Sequence, residues 1–295
     1  VRPAERRHFV VIGAMKCATT SIHRALASHP SVAVPRRKEL DVFSDPAAPD
    51  DPERLRAAYE RRFRGCDAPV VGEASPSYAM APLVPGVPAR MAAAVPDARL
   101  VYCVRDPIER MRSQYRHEVL RSRERRPADR ALGDAAYLVP SLYGTQLEGY
   151  LEHFPGEQVA VVSTAHLRAD PGAVLGPLLT FLGLDPTPVL EAQVTYASDE
   201  RPALGSFTHR LRSLPGARSA LALVPSDAKE RLASVLPGAG RAAAEARALF
   251  ATAPAWSPDP AQVDELGRDA ARFVAALGRC TTIGDPDGVV AGTAR

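Results

Sequence analysis

The sequence predicts an α/β fold: a parallel sheet of about five strands between helix layers, three layers in all. Three observations carry this. Short apolar, β-branched runs alternate with amphipathic stretches of crossover length. The first such run ends in a small-residue loop that opens directly into a helix. Charged and hydroxyl residues gather where the runs end, the edge on which open α/β sheets hold ligands.

Taken in order, His8–Ile12 is a buried strand ended by Gly13, and Thr20–Ser28 is a helix with Ile22, Ala25 and Leu26 on one face and Pro30 beyond it. Val32–Pro35 is short and extended, and the charged stretch Arg36–Asp45 follows. Asp51–Phe63 reads as a polar helix, Val70–Gly72 as a second apolar strand leading into Glu73–Tyr78, and Pro88–Val95 as a short helix. Arg99–Val104 is a clear strand. Asp106, Pro107 and Glu109 then form a helix start, with a capping carboxylate, proline at the first helical position and an acid in the first turn; the helix runs to about Arg121. Tyr143, Leu147, Tyr150 and Phe154 lie at spacings of one helical face within Ser141–Phe154. Val159–Ser163 is a strand and Pro171–Leu182 a helix stopped by Gly183. Beyond Asp185 the pattern weakens, with helices expected at Asp227–Val235, Ala242–Phe250 and Val263–Leu277. The reading is one domain over residues 1–284, with a core at 8–185 and a helical part at 186–284, and a flexible tail over 285–295.

Composition narrows the function classes. The 295 residues are 46% hydrophobic and 24% charged, an ordinary globular balance. No run approaches the ~18 apolar residues that a membrane span needs, and the basic, polar start is unlike a signal peptide, so a cytoplasmic protein is the expectation. A net charge of +3 gives no reason to expect nucleic acid as a partner. Cys17, Cys66, Cys103 and Cys280 show neither C-x-x-C nor zinc spacing and read as reduced thiols, with no metal site. Of 37 Lys and Arg, only Lys16, Lys38 and Lys229 are lysine.

Two segments carry the chemistry. In Gly13-Ala14-Met15-Lys16-Cys17-Ala18-Thr19-Thr20 a strand turns through a small-residue loop into a helix, where backbone amides and the helix dipole favour an anion. Lys16 adds a mobile cation, and Thr19 and Thr20 add hydroxyls. It is not a Walker A loop, because no G-K-[ST] follows. The second segment, Arg105-Asp106-Pro107-Ile108-Glu109-Arg110-Met111-Arg112-Ser113-Gln114-Tyr115, sets an arginine at a strand end and places Arg110 and Ser113 one turn apart, as for a second phosphate. Two phosphate-type sites on one sheet edge suit a ligand phosphorylated at two places.

These segments resemble those of sulfotransferases that use 3′-phosphoadenosine 5′-phosphosulfate (PAPS): a K-x-G-T-T loop for the 5′-phosphosulfate and R-[DN]-P-x-x-R-x-x-S-x-Y for the 3′-phosphate. Lys38-Glu39-Leu40-Asp41-Val42-Phe43 resembles the K-E-x-x-F-F segment of the carbohydrate, heparan-type branch and its bacterial relatives. Gly72-Glu73-Ala74-Ser75-Pro76-Ser77-Tyr78 resembles their G-E-K-[ST]-P-x-Y. Further likeness lies in Ser141-Leu142-Tyr143 with Gln146-Leu147, in Phe154-Pro155 and in Phe181-Leu182-Gly183-Leu184. The likeness covers residues 8–185. It implies a P-loop-NTPase-like fold, PAPS as co-substrate and no metal. It implies that Gly13 to Thr20, Arg105, Ser113 and Tyr143 bind the cofactor, that Glu39 is the base and Lys16 stabilises the leaving oxygen, and that Lys38, Asp41, Ser75 and Tyr78 face the acceptor. Two departures stand out. Ala18 replaces the loop glycine, which bears on backbone conformation and phosphate approach. Ala74 replaces a lysine, which weakens the expectation of a polyanionic glycan and favours a hydroxylated small molecule, sugar or lipid.

Alternatives stay open at this level: a phosphate-loop kinase or nucleotide hydrolase, and a non-catalytic nucleotide-binding protein with a degenerate site. Asp41, His23 and His117 compete with Glu39 as base, and Arg121–Arg126 is either a solvated helix end or a lure for an anionic acceptor. Oligomeric state is not legible.

Overall fold

The computed structural model describes residues 6–186, 248–254 and 256–290. In chain order its main elements are β1 (Arg7–Gly13), α1 (Thr19–Ala27), β2 (Val32–Ala33), α2 (Pro52–Glu60), β3 (Val70–Ala74), α3 (Val87–Ala94), β4 (Arg99–Val104), α4 (Pro107–Leu120), α5 (Ala128–Ala131), α6 (Ala135–Leu138), α7 (Tyr143–Leu151), β5 (Val159–Ser163), α8 (Thr164–Ala169), α9 (Pro171–Phe181), α10 (Pro260–Leu277) and β6 (Thr281–Ile283).

The strands form one six-stranded sheet in the order β2-β3-β1-β4-β5-β6, every pair parallel. The sequence anticipates about five; the sixth, β6, has three residues, too few for a hydrophobic period to show. His8–Gly13, Val70–Ala74, Leu100–Val104 and Val159–Ser163 are buried residue after residue. Unbroken burial of consecutive strand residues requires cover on both faces, the arrangement of a parallel sheet flanked by helices. From β1 the chain passes to β2 and β3 on one side and then to β4 and β5 on the other. The strand order therefore reverses between β1 and β4, and such a point leaves a crevice at the strand carboxyl ends.

Two local features shape that crevice. Val11 pairs with Val101 and Gly13 with Tyr102, so Ile12 is one residue too many for the ladder, a bulge that re-aims the end of β1. At Gly13 a Cβ would stand 2.8 Å from the Ala79 Cβ, so only glycine allows this approach.

The contacts divide the chain into two compact units. The first comprises residues 1–110, 138–196 and 259–295, the second 111–137 and 197–258. The first unit holds the sheet and the apolar core, from Phe9, Val10 and Val11 on β1 to Phe273 on α10. Helix α10 begins at Pro260, three residues before the apolar period starts at Val263. Asp259 accepts from the Gln262 amide while the Gln262 side chain accepts from the Asp259 amide, a complete capping box with proline at the first turn. Where the sequence suggests a tail from 285, turns continue and Val290 is buried, because Val290 completes apolar surface on the core. In the second unit Glu124 accepts from the Arg125 and Arg126 amides, the Arg126 guanidinium and the Tyr137 hydroxyl. These donors, Arg126 foremost, pull its carboxyl down to about 2. Arg126 also pairs with Asp134 at 2.7 Å, and Arg123 lies 3.8 Å from Glu118, so part of the basic run serves local structure. The helix expected at Asp227–Val235, most of that at Ala242–Phe250, and Lys229 lie outside the described residues.

Candidate active site

The first functional segment is the link from β1 to α1. The Ala14 amide donates to the Cys103 carbonyl at 2.8 Å, tying the loop to β4, and the Cys17 amide donates to the Ala14 carbonyl at 3.1 Å. Ala14 and Cys17 are fully buried and form the inner wall; Met15, Lys16 and Ala18 are half-buried, Thr19 is buried and Thr20 is exposed. Helix α1 has no side-chain cap and no acidic residue in its first turn. Its N-terminal amides and positive dipole end are therefore not neutralised by a cap or by an acid of its own first turn. Lys16 and Ala18 both have left-handed backbones, with φ of 67° and 54°. The alanine occupies a conformation that glycine adopts without penalty and that costs an L-residue ~1–2 kcal/mol.

The second segment starts where β4 ends. The Arg105 guanidinium is 15% exposed, 3.9 Å from the Glu109 carboxylate, and its charge acts on the Cys17 thiol. This puts Arg105 beside the first loop. Asp106 caps α4, its carboxylate accepting from the Glu109 amide at 2.7 Å. Tyr143 is fully buried. Its hydroxyl donates to the Arg105 carbonyl at 2.8 Å and lies 3.7 Å from the Cys17 sulfur, so it braces both segments from beneath. Arg110 is fully buried too. Its guanidinium donates to the Ser141 hydroxyl, and its reach to the Met15 carbonyl is 3.5 Å, a second brace. Burial raises the Cys17 thiol, so this cysteine is a wall residue rather than a thiolate. Ser113 lies further along α4, within the second unit.

The third segment is the loop after β2. Lys38 and Glu39 pair at 3.0 Å with Glu39 53% exposed, and Lys38 acts electrostatically on His23 of α1, which places this loop alongside the helix that starts at the first loop. His23 is buried, and desolvation foremost lowers it to about 4; it is neutral at neutral pH. Glu39 and Asp41 again have left-handed backbones, φ 61° and 54°. The intervening amide of Leu40 donates to the Glu73 carboxylate at 3.2 Å and that of Asp41 to the Ser75 hydroxyl at 3.2 Å. Ser75 in turn donates to Glu73 at 2.5 Å and Tyr78 donates to it at 2.6 Å, while Ser77 donates to Asp41 at 2.6 Å. Ser75 and Tyr78 are thus buried and engaged within the protein.

The structure brings Gly13 to Thr20, Arg105 and Tyr143 together at the β1/β4 reversal, and sets Lys38 to Asp41 on the loop after β2, where Glu73 and Ser75 hold the Leu40 and Asp41 amides. One polar residue escapes a sequence-based choice of site residues, Glu73; Arg110, read from the sequence as part of a second phosphate site, is instead fully buried against Ser141. The signal for Glu73 is a carboxylate inside the apolar run Val70 to Ala74. Glu73 is 1% exposed. Desolvation raises it to about 7 against the opposing hydrogen bonds from Ser75, Tyr78 and Leu40.

Two outcomes follow. Ala18→Gly relieves the left-handed alanine and, after the greater chain entropy of glycine, raises stability by about 0.5–1 kcal/mol in urea unfolding. For Glu73 the folded-state pKa lies above the unfolded one, so protonation favours the folded chain. That contribution is complete below about 4.5 and is lost as pH rises through about 7. The stability of wild type relative to Glu73→Gln therefore falls across this window, by about 3 kcal/mol at most, as read from denaturation midpoints at a series of pH values.

Residues 6–201 match the family described as Sulfotransferase domain. Among curated proteins, the chain is 26% identical over 204 residues to human bifunctional heparan sulfate N-deacetylase/N-sulfotransferase 3, covering 60% of this chain and 22% of that protein. It is 30% identical over 188 residues to human heparan sulfate glucosamine 3-O-sulfotransferase 3B1, covering 59% and 45%. The chain thus spans less than half the length of these relatives. Among solved structures, a sulfotransferase from Alicyclobacillus acidocaldarius superposes with a TM-score of 0.57 at 28% identity, over 83% of this chain and 96% of that one. With the match reaching from β1 past α9, and both motif loops at the sheet's reversal point, the chain belongs to the sulfotransferase domain family.

Proposed function

We propose that the protein transfers a sulfuryl group from PAPS to a hydroxyl of a small-molecule, sugar or lipid acceptor, with Glu39 as base. The observation that carries this reading is the uncapped start of α1 behind Lys16, with Arg105 emerging from the neighbouring strand. The residues fit such a ligand: no acidic side chain occupies the first turn of α1 and no side chain caps it. Among the described residues no cluster suited to a metal ion occurs, and no helix is long and apolar enough to cross a membrane.

PAPS, when bound, supplies the sulfuryl group on a phosphosulfate bridge, leaving 3′-phosphoadenosine 5′-phosphate. In this reading the α1 amides, Thr19 and Thr20 hold the 5′ side, and Arg105 holds the 3′-phosphate with its guanidinium fork. Lys16 supplies positive charge where the bridging oxygen gains negative charge. Glu39 takes the acceptor proton as the acceptor oxygen bonds to sulfur and the sulfur–oxygen bridge breaks. Its neighbour Lys38 pairs with the carboxylate at 3.0 Å. Ser75 and Tyr78 lie in the hydrogen-bonded layer beneath this loop, and Asp41, within it, is bonded to Ser75 and Ser77, so their contribution to acceptor binding runs through the loop's shape.

Calorimetric titration of 3′-phosphoadenosine 5′-phosphate tests the nucleotide half. Lys16→Ala and Arg105→Ala each weaken binding by ~1.5–3 kcal/mol; unchanged affinity in both variants refutes the assignment. For the transfer half, Glu39→Gln lowers kcat by about 10²–10⁴ while nucleotide affinity stays near wild type. Lys16→Arg also loses turnover, because a planar guanidinium does not replace a compact ammonium. Retained turnover in Glu39→Gln removes Glu39 as the base.

A further inference from the structure

We infer that Glu73 is a positioning residue for transfer, clamping the backbone of Leu40 and Asp41 so that Glu39 is held in its working conformation. This rests on the reading of Glu39 as the base. The structural half of the inference, that Glu73 fixes the loop, stands on geometry alone.

The loop has an unusual need for a clamp. Glu39 and Asp41 both have left-handed backbones, each unfavourable for an L-residue, with Leu40 between them. Two such residues one position apart persist only where the surroundings over-determine the chain. The restraint comes from β3. One Glu73 carboxylate oxygen accepts from the Leu40 amide at 3.2 Å and from the Ser75 hydroxyl at 2.5 Å; the other accepts from the Tyr78 hydroxyl at 2.6 Å. Ser75 completes the grip by accepting from the Asp41 amide at 3.2 Å. Consecutive amides of the loop are therefore fixed by one buried carboxyl and the hydroxyl it orients. Glu39 makes no part of this network; its side chain points outward at 53% exposed. The site residue is thus left to solvent and ligand while its backbone is held from below.

An apolar or amide residue would be the cheaper occupant of such a buried position. The groups facing Glu73 from neighbouring elements are Tyr59 on α2, Tyr78 after β3, Asp41 in the loop and Tyr150 on α7. Three are phenols and one is an acid, so these neighbours do not support its ionised form; the hydrogen bonds do. Three donors converge on it, and a carboxylate accepts at both oxygens whereas an amide or a protonated acid turns one into a donor. These donors fit the carboxylate form, while burial, the larger effect, favours the protonated one.

The test compares wild type with Glu73→Gln, and with Ser75→Ala in case the first variant folds poorly. Amide hydrogen exchange over residues 36–45 gives the loop readout. Protection of the Leu40 and Asp41 amides is expected to fall about tenfold or more in Glu73→Gln. Ser75→Ala should lose protection chiefly at Asp41. The transfer readout is steady-state release of 3′-phosphoadenosine 5′-phosphate from PAPS with a hydroxylated aromatic probe, 4-methylumbelliferone. Glu73→Gln is expected to lower kcat about tenfold or more while KM for PAPS stays within about twofold, a split that general destabilisation does not produce. Wild-type exchange at Leu40 and Asp41 in both variants, or wild-type kcat in a Glu73→Gln enzyme whose loop is loosened, overturns the inference. If wild type turns over no PAPS with probe or water, the transfer reading falls, and exchange still decides whether Glu73 fixes the loop.

Discussion

The pairing of β1 with β4 is the interaction on which the rest of the structure depends. Every residue of β1 from His8 onward is buried, so the strand is fixed from both faces as well as by its ladders. Its last residue cannot simply continue the pairing: Ile12 bulges out of register, and the Ala14 amide returns to β4 through the Cys103 carbonyl. This small dislocation turns the loop across the top of the sheet and into α1. The strand order reverses here, the kind of point at which open α/β sheets leave a crevice at the strand carboxyl ends. Tyr143 and Arg110 then brace the loop and the exit of β4 from within.

Backbone strain is concentrated where function is expected. Four of the non-glycine residues with positive φ are Lys16, Ala18, Glu39 and Asp41, two in each of the loops that carry the proposed chemistry. Unfavourable conformations of this kind need support from the surrounding fold, and each loop has its own. The first is tied through Ala14 and Cys17 to β4 and to Tyr143. The second is tied through Leu40 and Asp41 to Glu73 and Ser75. In both, the groups proposed to meet the ligand stand on the outer side of a loop whose inner side is fully engaged. That division lets exposed charge remain available without making the backbone mobile.

Much of the frame was legible because its signals are local. The strands at Arg99–Val104 and Val159–Ser163 are apolar runs with definite ends, and both occur with those bounds. Asp106 caps α4 as its spacing with Glu109 implies. Where reading fell short, the missing signal was non-local. β6 is three residues long and is a strand only because β5 offers an edge to it. Ser75 and Tyr78 look available in sequence, being polar and next to a proline, yet Glu73 gathers both from the inside.

By itself, then, the sequence determined the alternation of strands and helices, the two anion-seeking segments at strand ends, and the family resemblance they carry. Each follows from residues adjacent in the chain, where period, capping and loop composition act directly. Only the tertiary structure decided that Glu39 stays exposed beside Lys38 while Glu73, 34 positions further on, is buried and holds its loop. Glu73 lies within the apolar run of β3 and Glu39 in the charged loop after β2, but neither stretch by itself sets how deeply its carboxyl is enclosed. The difference is desolvation, which depends on what the rest of the chain packs around each carboxyl.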